Sequence, residues 1–191
     1  NMDYFTLFCM EEMMFGVRRW IVREWDCKSD AFTCLEILRI WEVVWPEEVS
    51  IAVLQDIVFS VLKKNCDNWN PFQDSVPIHF WIHPWMDVLG TRMKIELFPS
   101  ILYKLNIALM SWDPLDFSVV ELLAPWANVF TEEQISKLAQ SRLIPKLAKY
   151  LNQPNVVSSL LIENDKKLQK CLVPVMKWAN IIPIVPFSEF A

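Results

Sequence analysis

The chain has 191 residues, 53% hydrophobic and 21% charged, with a formal charge of −5; it holds ample core material and carries no compositional sign of disorder. Its basic residues are scattered, as at Arg18-Arg19, Lys63-Lys64 and Lys166-Lys167, which excludes the basic stripe that duplex binding needs. Two glycines, against roughly thirteen at average usage, exclude phosphate-cradling loops, dinucleotide fingerprints and Gly-rich RNA-binding segments, because each needs backbone that only glycine permits.

Near the start, Arg18, Arg19 and Arg23 flank Trp20. Aromatics among bases can stack on single-stranded nucleic acid, but Glu24, Trp25 and Asp26 follow at once, and the plainer reading is a helix with a solvated basic edge. Glu47-Glu48 after Trp45-Pro46 puts acid into the first turn of a helix, where the dipole favours it. From Ile51 to Cys66 the apolar residues Ile51, Leu54, Val58, Val61 and Leu62 fall at three- and four-residue steps, the pattern of an amphipathic helix.

Asn70-Pro71 and Asp113-Pro114 each place a capping side chain before a proline, which predicts two helix starts. Met93 to Met110 repeats the helical pattern through Leu97, Ile101, Leu105 and Leu109, and Ile135 to Leu151 does so through Leu138, Leu147 and Leu151. Thr131-Glu132-Glu133-Gln134 reads as a capping box. Pro99 and Pro145 predict that their helices kink or begin there. Twelve prolines with so few glycines also argue against a hairpin-rich β fold.

Two tryptophan phrases recur. Trp69-Asn70-Pro71-Phe72-Gln73-Asp74 is echoed by Trp112-Asp113-Pro114-Leu115-Asp116, and His83-Pro84-Trp85-Met86-Asp87-Val88-Leu89 by Ala124-Pro125-Trp126-Ala127-Asn128-Val129-Phe130. Trp25 precedes Trp69 by 44 residues and Trp69 precedes Trp112 by 43; Trp41 precedes Trp85 by 44 and Trp85 precedes Trp126 by 41. Met176-Lys177-Trp178-Ala179-Asn180 hints at a fourth copy. A period of this length is that of a two-helix solenoid unit.

The expected architecture is therefore all-α: a right-handed superhelical array of HEAT- or armadillo-like helical hairpins with a repeat of about 41–44 residues. It forms one domain over 1–191, with copies near 15–68, 69–111, 112–152 and 153–191. Trp25, Trp41, Trp69, Pro71, Trp85, Trp112, Pro114 and Trp126 define the repeat, and the tryptophans are expected to be structural and buried between neighbouring copies. The first residue, Asn1, and the apolar run from Ile181 to Phe190 at the other end are expected of a piece of a longer chain.

Chemistry-bearing groups are sparse. His79 and His83 stand four apart, a metal-compatible spacing, but further ligands are distant and Pro84 disfavours helical geometry at His83, so packing is the expected role. The pairs Glu11-Glu12, Glu47-Glu48 and Glu132-Glu133 point about 100° apart on a helix and cannot flank one reacting bond. Neither enzymatic activity nor a cofactor is expected. The five cysteines, Cys9, Cys27, Cys34, Cys66 and Cys171, include no CxxC pair and suggest free buried thiols in a reducing compartment. The uncharged runs Ser75 to Met86 and Tyr150 to Ile162 are too short to span a bilayer, and no membrane partner is expected. Solenoids mostly hold partners, although nothing in the sequence locates the binding surface.

The run Asn68 to Trp85 (NWNPFQDSVPIHFWIHPW) resembles the domain named after the GC-rich-sequence DNA-binding factor in the tuftelin-interacting family of G-patch splicing factors. Ser111 to Pro114, Pro125 to Phe130 and Leu143 to Leu147 match that domain in the same order, and the resemblance covers roughly residues 15 to 151. It implies a nuclear protein acting in disassembly of the intron-lariat spliceosome. It also implies three kinds of partner: spliceosomal proteins, a related GC-rich-factor-like protein, and a DEAH-box RNA helicase recruited by a G-patch. The G-patch is outside this chain, which has too few glycines to supply one, and Asp26-Cys27 stands where a proline would follow Trp25. The DNA-binding part of the family's name does not fit the acidic charge. A generic helical-repeat adaptor unrelated to RNA and a direct RNA-binding helical domain are the alternatives, with direct nucleic-acid contact expected to be minor.

Overall fold

The computed structural model describes residues 3–116, 118–161, 173, 176 and 178. Every element among them is helical, so the chain is all-α. It divides into two compact units, Asn1–Leu102 and Tyr103–Ala191, and the division falls inside a helix.

In the first unit, α1 (Tyr4–Phe8) runs through a π-turn at Cys9–Met13 into α2 (Met14–Arg23). After a loop comes α3 (Ala31–Glu42), then α4 (Glu47–Ala52), which continues through a second π-turn, Val53–Val58, into α5 (Phe59–Asn68). The short α6 (Ile78–Ile82) passes through a 3-10 turn, His83–Trp85, into α7 (Met86–Glu96), and α8 (Phe98–Ser111) spans the division. Trp81, Trp85, Phe59, Leu62, Met93 and Leu97 are fully or almost fully buried and make the core of this unit.

The second unit holds α9 (Ser118–Leu123), a 3-10 turn at Ala124–Trp126, and α10 (Glu132–Leu138). A third π-turn, Ala139–Leu143, leads into α11 (Ile144–Leu151), and α12 (Pro154–Leu161) follows. Leu105, Leu109, Trp126, Ala139 and Leu143 form its core.

Local chemistry explains several helix starts. Thr131 Oγ1 accepts from the Gln134 amide at 3.3 Å, while Gln134 Oε1 accepts from the Thr131 amide at 3.0 Å, the reciprocal capping box. Glu47 and Glu48 occupy the first turn of α4, with Pro46 at the N-cap. Pro99 and Pro145 sit in the first turns of α8 and α11, where a missing N–H removes no helical hydrogen bond.

Four expectations are corrected. Asn70-Pro71 and Asp113-Pro114 do not start helices; α6 begins at Ile78 and α9 at Ser118. Their side chains close Asx turns instead, Asn70 Oδ1 accepting from the Phe72 amide at 3.0 Å and Asp113 Oδ1 from the Leu115 amide at 2.8 Å. The stretch from Met93 to Met110, by contrast, divides where Pro99 predicts, into two helices joined at Leu97, because Pro99 lacks the N–H that would carry the ladder through. Its apolar face nonetheless holds, with Leu97, Ile101, Leu105 and Leu109 buried.

Ile51 is 51% exposed, whereas Val53, Ile57, Phe59 and Cys66 join Val58 and Leu62 on the buried face. The π-turn inserts an extra residue into the helical ladder and rotates the face that a uniform 3.6-residue period predicts. His83 keeps right-handed helical dihedrals (φ −59, ψ −37) although a proline follows it. It is the first residue of a 3-10 turn, which accommodates Pro84 in its own first turn.

The π-turns keep the period of the tryptophans. Cys9–Met13 and Val53–Val58 start 44 residues apart, and Ala139–Leu143 starts 86 residues after Val53. The break at Leu97 falls at the intervening position. Of the phrase Met176 to Asn180 that suggests a fourth copy only Met176 and Trp178 are described; Lys177, Ala179, Asn180 and the apolar tail lie outside the described residues.

Candidate functional site

A tryptophan followed by Asn or Asp makes the same local object at three places. In each the indole is buried, with Trp25 at 7%, Trp69 at 2% and Trp112 at 5% exposure. The next side chain closes an Asx turn, with Asp26 Oδ1 accepting from the Lys28 amide at 3.1 Å just as Asn70 and Asp113 accept from theirs. The first copy does this without a proline, because the turn depends on the carboxylate or amide oxygen, and proline only presets φ. Pro71 and Pro114 occupy that presetting position and are half-buried. The indole N–H of Trp25 donates to the Asp30 carbonyl (2.9 Å), and that of Trp112 to the Asp116 carbonyl (2.7 Å). Each of these two donations ties the ring to the far side of its own turn.

Cross-links hold these turns in place. Lys28 Nζ pairs with Asp74 Oδ1 at 2.5 Å, and Asp74 Oδ2 accepts from the Asn70 amide at 2.7 Å, so one carboxylate joins the first two turns. In the second unit Lys146 Nζ donates to the carbonyls of Met110 and Trp112 at 2.8 and 2.6 Å, capping the end of α8. Partial burial lowers the Lys146 pKa from its ordinary value. Arg142 Nε donates to Asn106 Oδ1 at 2.8 Å.

The second set of tryptophans forms two recurring contacts. Trp85 meets Trp25 edge-on, with centroids 5.5 Å apart at 69°, and Trp178 meets Trp112 at 5.0 Å and 72°. Trp41 stacks on Trp45 (5.3 Å, 19°), and Trp126 stacks on Phe130 in the same way (5.2 Å, 16°). Trp85 and Trp126 are fully buried, whereas Trp41 is 37% exposed and its neighbour Trp45 occupies the core. The spacing rule therefore places Trp41 among the others by its aromatic partner four residues on, and apart from them by exposure.

The histidine pair, His79 in α6 and His83 at the start of the turn after it, has its rings 5.8 Å apart. Burial holds both below the ordinary histidine pKa, and at His83 the His79 charge adds to it. Among the described residues no group of three His, Cys, Asp or Glu side chains is placed to hold a metal ion. Cys9, Cys27, Cys34 and Cys66 are buried and not disulfide-bonded. Burial first, and the neighbouring carboxylates of Asp26 and Asp30 next, push the Cys27 and Cys34 thiols up to about 12. Arg18, Arg19 and Arg23 are exposed beside the half-buried Trp20. Among the described residues no helix is long and apolar enough to cross a membrane.

Sequence reasoning missed the side chains on top of this scaffold. Phe72 and Leu115, each two residues beyond the Asx position of its turn, are both 60% exposed. On α8, Tyr103, Ile107 and Met110 form an exposed apolar stripe at steps of four and three. The signal was available, since the tip of an Asx-Pro turn faces outward, and an apolar residue there has no core to fill.

The sequence model of the family described as GC-rich sequence DNA-binding factor-like protein matches residues 1–190. Tuftelin-interacting protein 11 of Gallus gallus is 31% identical over 175 residues, 92% of this chain and 20% of the relative. The Danio rerio protein of the same name is 32% identical over 184 residues, covering 96% and 21%, and the Xenopus laevis one 34% over 142 residues, covering 74% and 17%. The chain thus spans about a fifth of the length of these relatives.

Proposed function

The chain belongs to the GC-rich sequence DNA-binding factor-like family, and on that membership we propose that it is a protein–protein docking scaffold of a nuclear pre-mRNA splicing factor. In this reading it acts in disassembly of the intron-lariat spliceosome. The array binds spliceosomal proteins and a related GC-rich-factor-like protein, and so raises the local concentration of a tethered G-patch and its DEAH-box helicase near their RNA target. The observation that supports docking is the exposure of Phe72 and Leu115 on turns whose tryptophans are buried and which hydrogen bonds lock. A rigid apolar tip loses little entropy on binding, which is what a scaffold needs.

The test is affinity capture from nuclear extract with this chain, with and without nuclease, read by mass spectrometry. Nuclease-resistant recovery of late spliceosomal proteins is the expected result. Recovery that vanishes with nuclease moves the function to RNA binding through the Arg18, Arg19 and Arg23 edge, and recovery without splicing proteins leaves a helical adaptor.

A further inference from the structure

Of the two glycines in the chain, only one has a reason within the chain itself. Gly90 holds φ 47, a backbone that side chains rarely adopt. Gly16 lies inside α2 without a positive φ, is exposed, and would place a Cβ where nothing stands within 4 Å. Glycine weakens a helix interior relative to alanine, and neither backbone geometry nor crowding at position 16 offsets that. What the missing side chain supplies is a bare stretch of helix surface where the backbone of a second helix can come close.

The residues around Gly16 are complementary to a copy of themselves. Arg19 and Arg23 follow it by three and seven residues, which puts them on its face of the helix. Glu12 precedes it by four, about one turn back in the π-turn that leads into α2. This face therefore carries acid on one side of Gly16 and base on the other. Glu12, Arg19 and Arg23 are exposed, and none is in an ion pair among the described residues. Phe15 and Val22, seven apart along one edge of the face, are 72% and 56% exposed and give it apolar surface to cover.

Two such helices crossing antiparallel at Gly16 set Glu12 of each copy beside Arg19 of the other, and a twofold axis makes both pairs at once. A parallel crossing sets like charge against like. A partner of one charge sign satisfies half of the face and opposes the other half, whereas a second copy carries both halves in the required order.

We propose that the chain self-associates through this face, two copies packing α2 on α2 antiparallel about Gly16 with a Glu12–Arg19 pair on either side of the axis. Each copy contributes one helix, a contact at the small end of specific interfaces, so the dimer is weak and its exposed ion pairs make it salt-sensitive.

Sedimentation equilibrium of the chain between ~1 and ~200 μM tests this. The expected result is a monomer–dimer equilibrium, tighter at ~50 mM salt than at ~500 mM. Glu12→Arg and Arg19→Glu each turn both pairs repulsive and are expected to weaken dimerisation roughly tenfold, whereas the two variants mixed in equal amounts associate with each other. Gly16→Leu is expected to leave a monomer. Leucine is the better helix former and the position is open, so the folded chain gains stability, which its urea midpoint verifies. A monomer at every concentration, a dimer indifferent to Gly16→Leu or to Arg19→Glu, or a mixture of the two charge variants that stays monomeric overturns the proposal.

Discussion

Trp85 and Trp126 are fully buried, and each leaves a large cavity when truncated. Trp85→Ala and Trp126→Ala are each expected to lower stability by about 3–5 kcal/mol. Trp41→Ala, where more than a third of the side chain is exposed, costs clearly less. Urea unfolding of the three variants checks the order, and equal losses would refute the distinction. The histidines give a pH dependence. Above about pH 6.5 both are neutral in the folded and the unfolded chain. Below it the unfolded chain takes up protons that burial denies the folded one, so stability is complete at neutral pH and falls as the solution is acidified. Urea midpoints at pH ~7.5 and ~5.5 read this, and a His79→Gln, His83→Gln variant is expected to flatten the difference. Cys27 and Cys34, with thiols held near 12, are expected to resist alkylation until the chain unfolds, as peptide mapping of labelled protein would reveal. Most of the buried tryptophans were legible because an indole is too large to leave in solvent at a periodic position. Trp41 was not, since two tryptophans four residues apart compete for one buried place, and contacts from other helices decide between them.

Elements whose ends are fixed by neighbouring residues were the easiest to read. The Thr131 capping box and the acidic start of α4 need only four residues, all adjacent, to satisfy the free amides of a first turn. Thr131→Ala is accordingly expected to cost about 1 kcal/mol in thermal unfolding. Gly90 shows the opposite dependence. It interrupts α7 with φ 47 and ψ −121, dihedrals that side chains disfavour, although a Cβ there would meet nothing within 4 Å. Gly90→Ala is expected to destabilise by on the order of 1–3 kcal/mol through backbone strain alone, and a neutral result in the same melt would show that the kink relaxes. The Asx-Pro pairs were misread because an Asn or Asp oxygen before proline serves a helix start and a turn equally well. The π-turns were invisible, since an i→i+5 bond asks nothing distinctive of the residues that make it.

At the scale of the whole molecule the charge of −5 opposes nucleic-acid binding, since each phosphate contact needs a cation to offset it. Fluorescence anisotropy with labelled duplex DNA at ~150 mM salt is expected to show no saturation below about 100 μM chain; tight, salt-sensitive binding would overturn that. The all-α class followed from the sequence alone, because helical apolar spacing, scarce glycine and abundant proline leave few ways to build strands. The recurrence of the tryptophan phrases was legible as well, but that their Asx oxygens close turns was not, because such an oxygen before proline serves a helix start equally well. Tertiary structure decided the rest: which face of the helix from Glu47 to Asn68 is buried, that Trp45 lies deeper than Trp41, and that Phe72 and Leu115 stay exposed. These depend on burial against residues distant in the chain, and that free energy is set by the neighbours a side chain finds after folding rather than by the residues beside it in sequence.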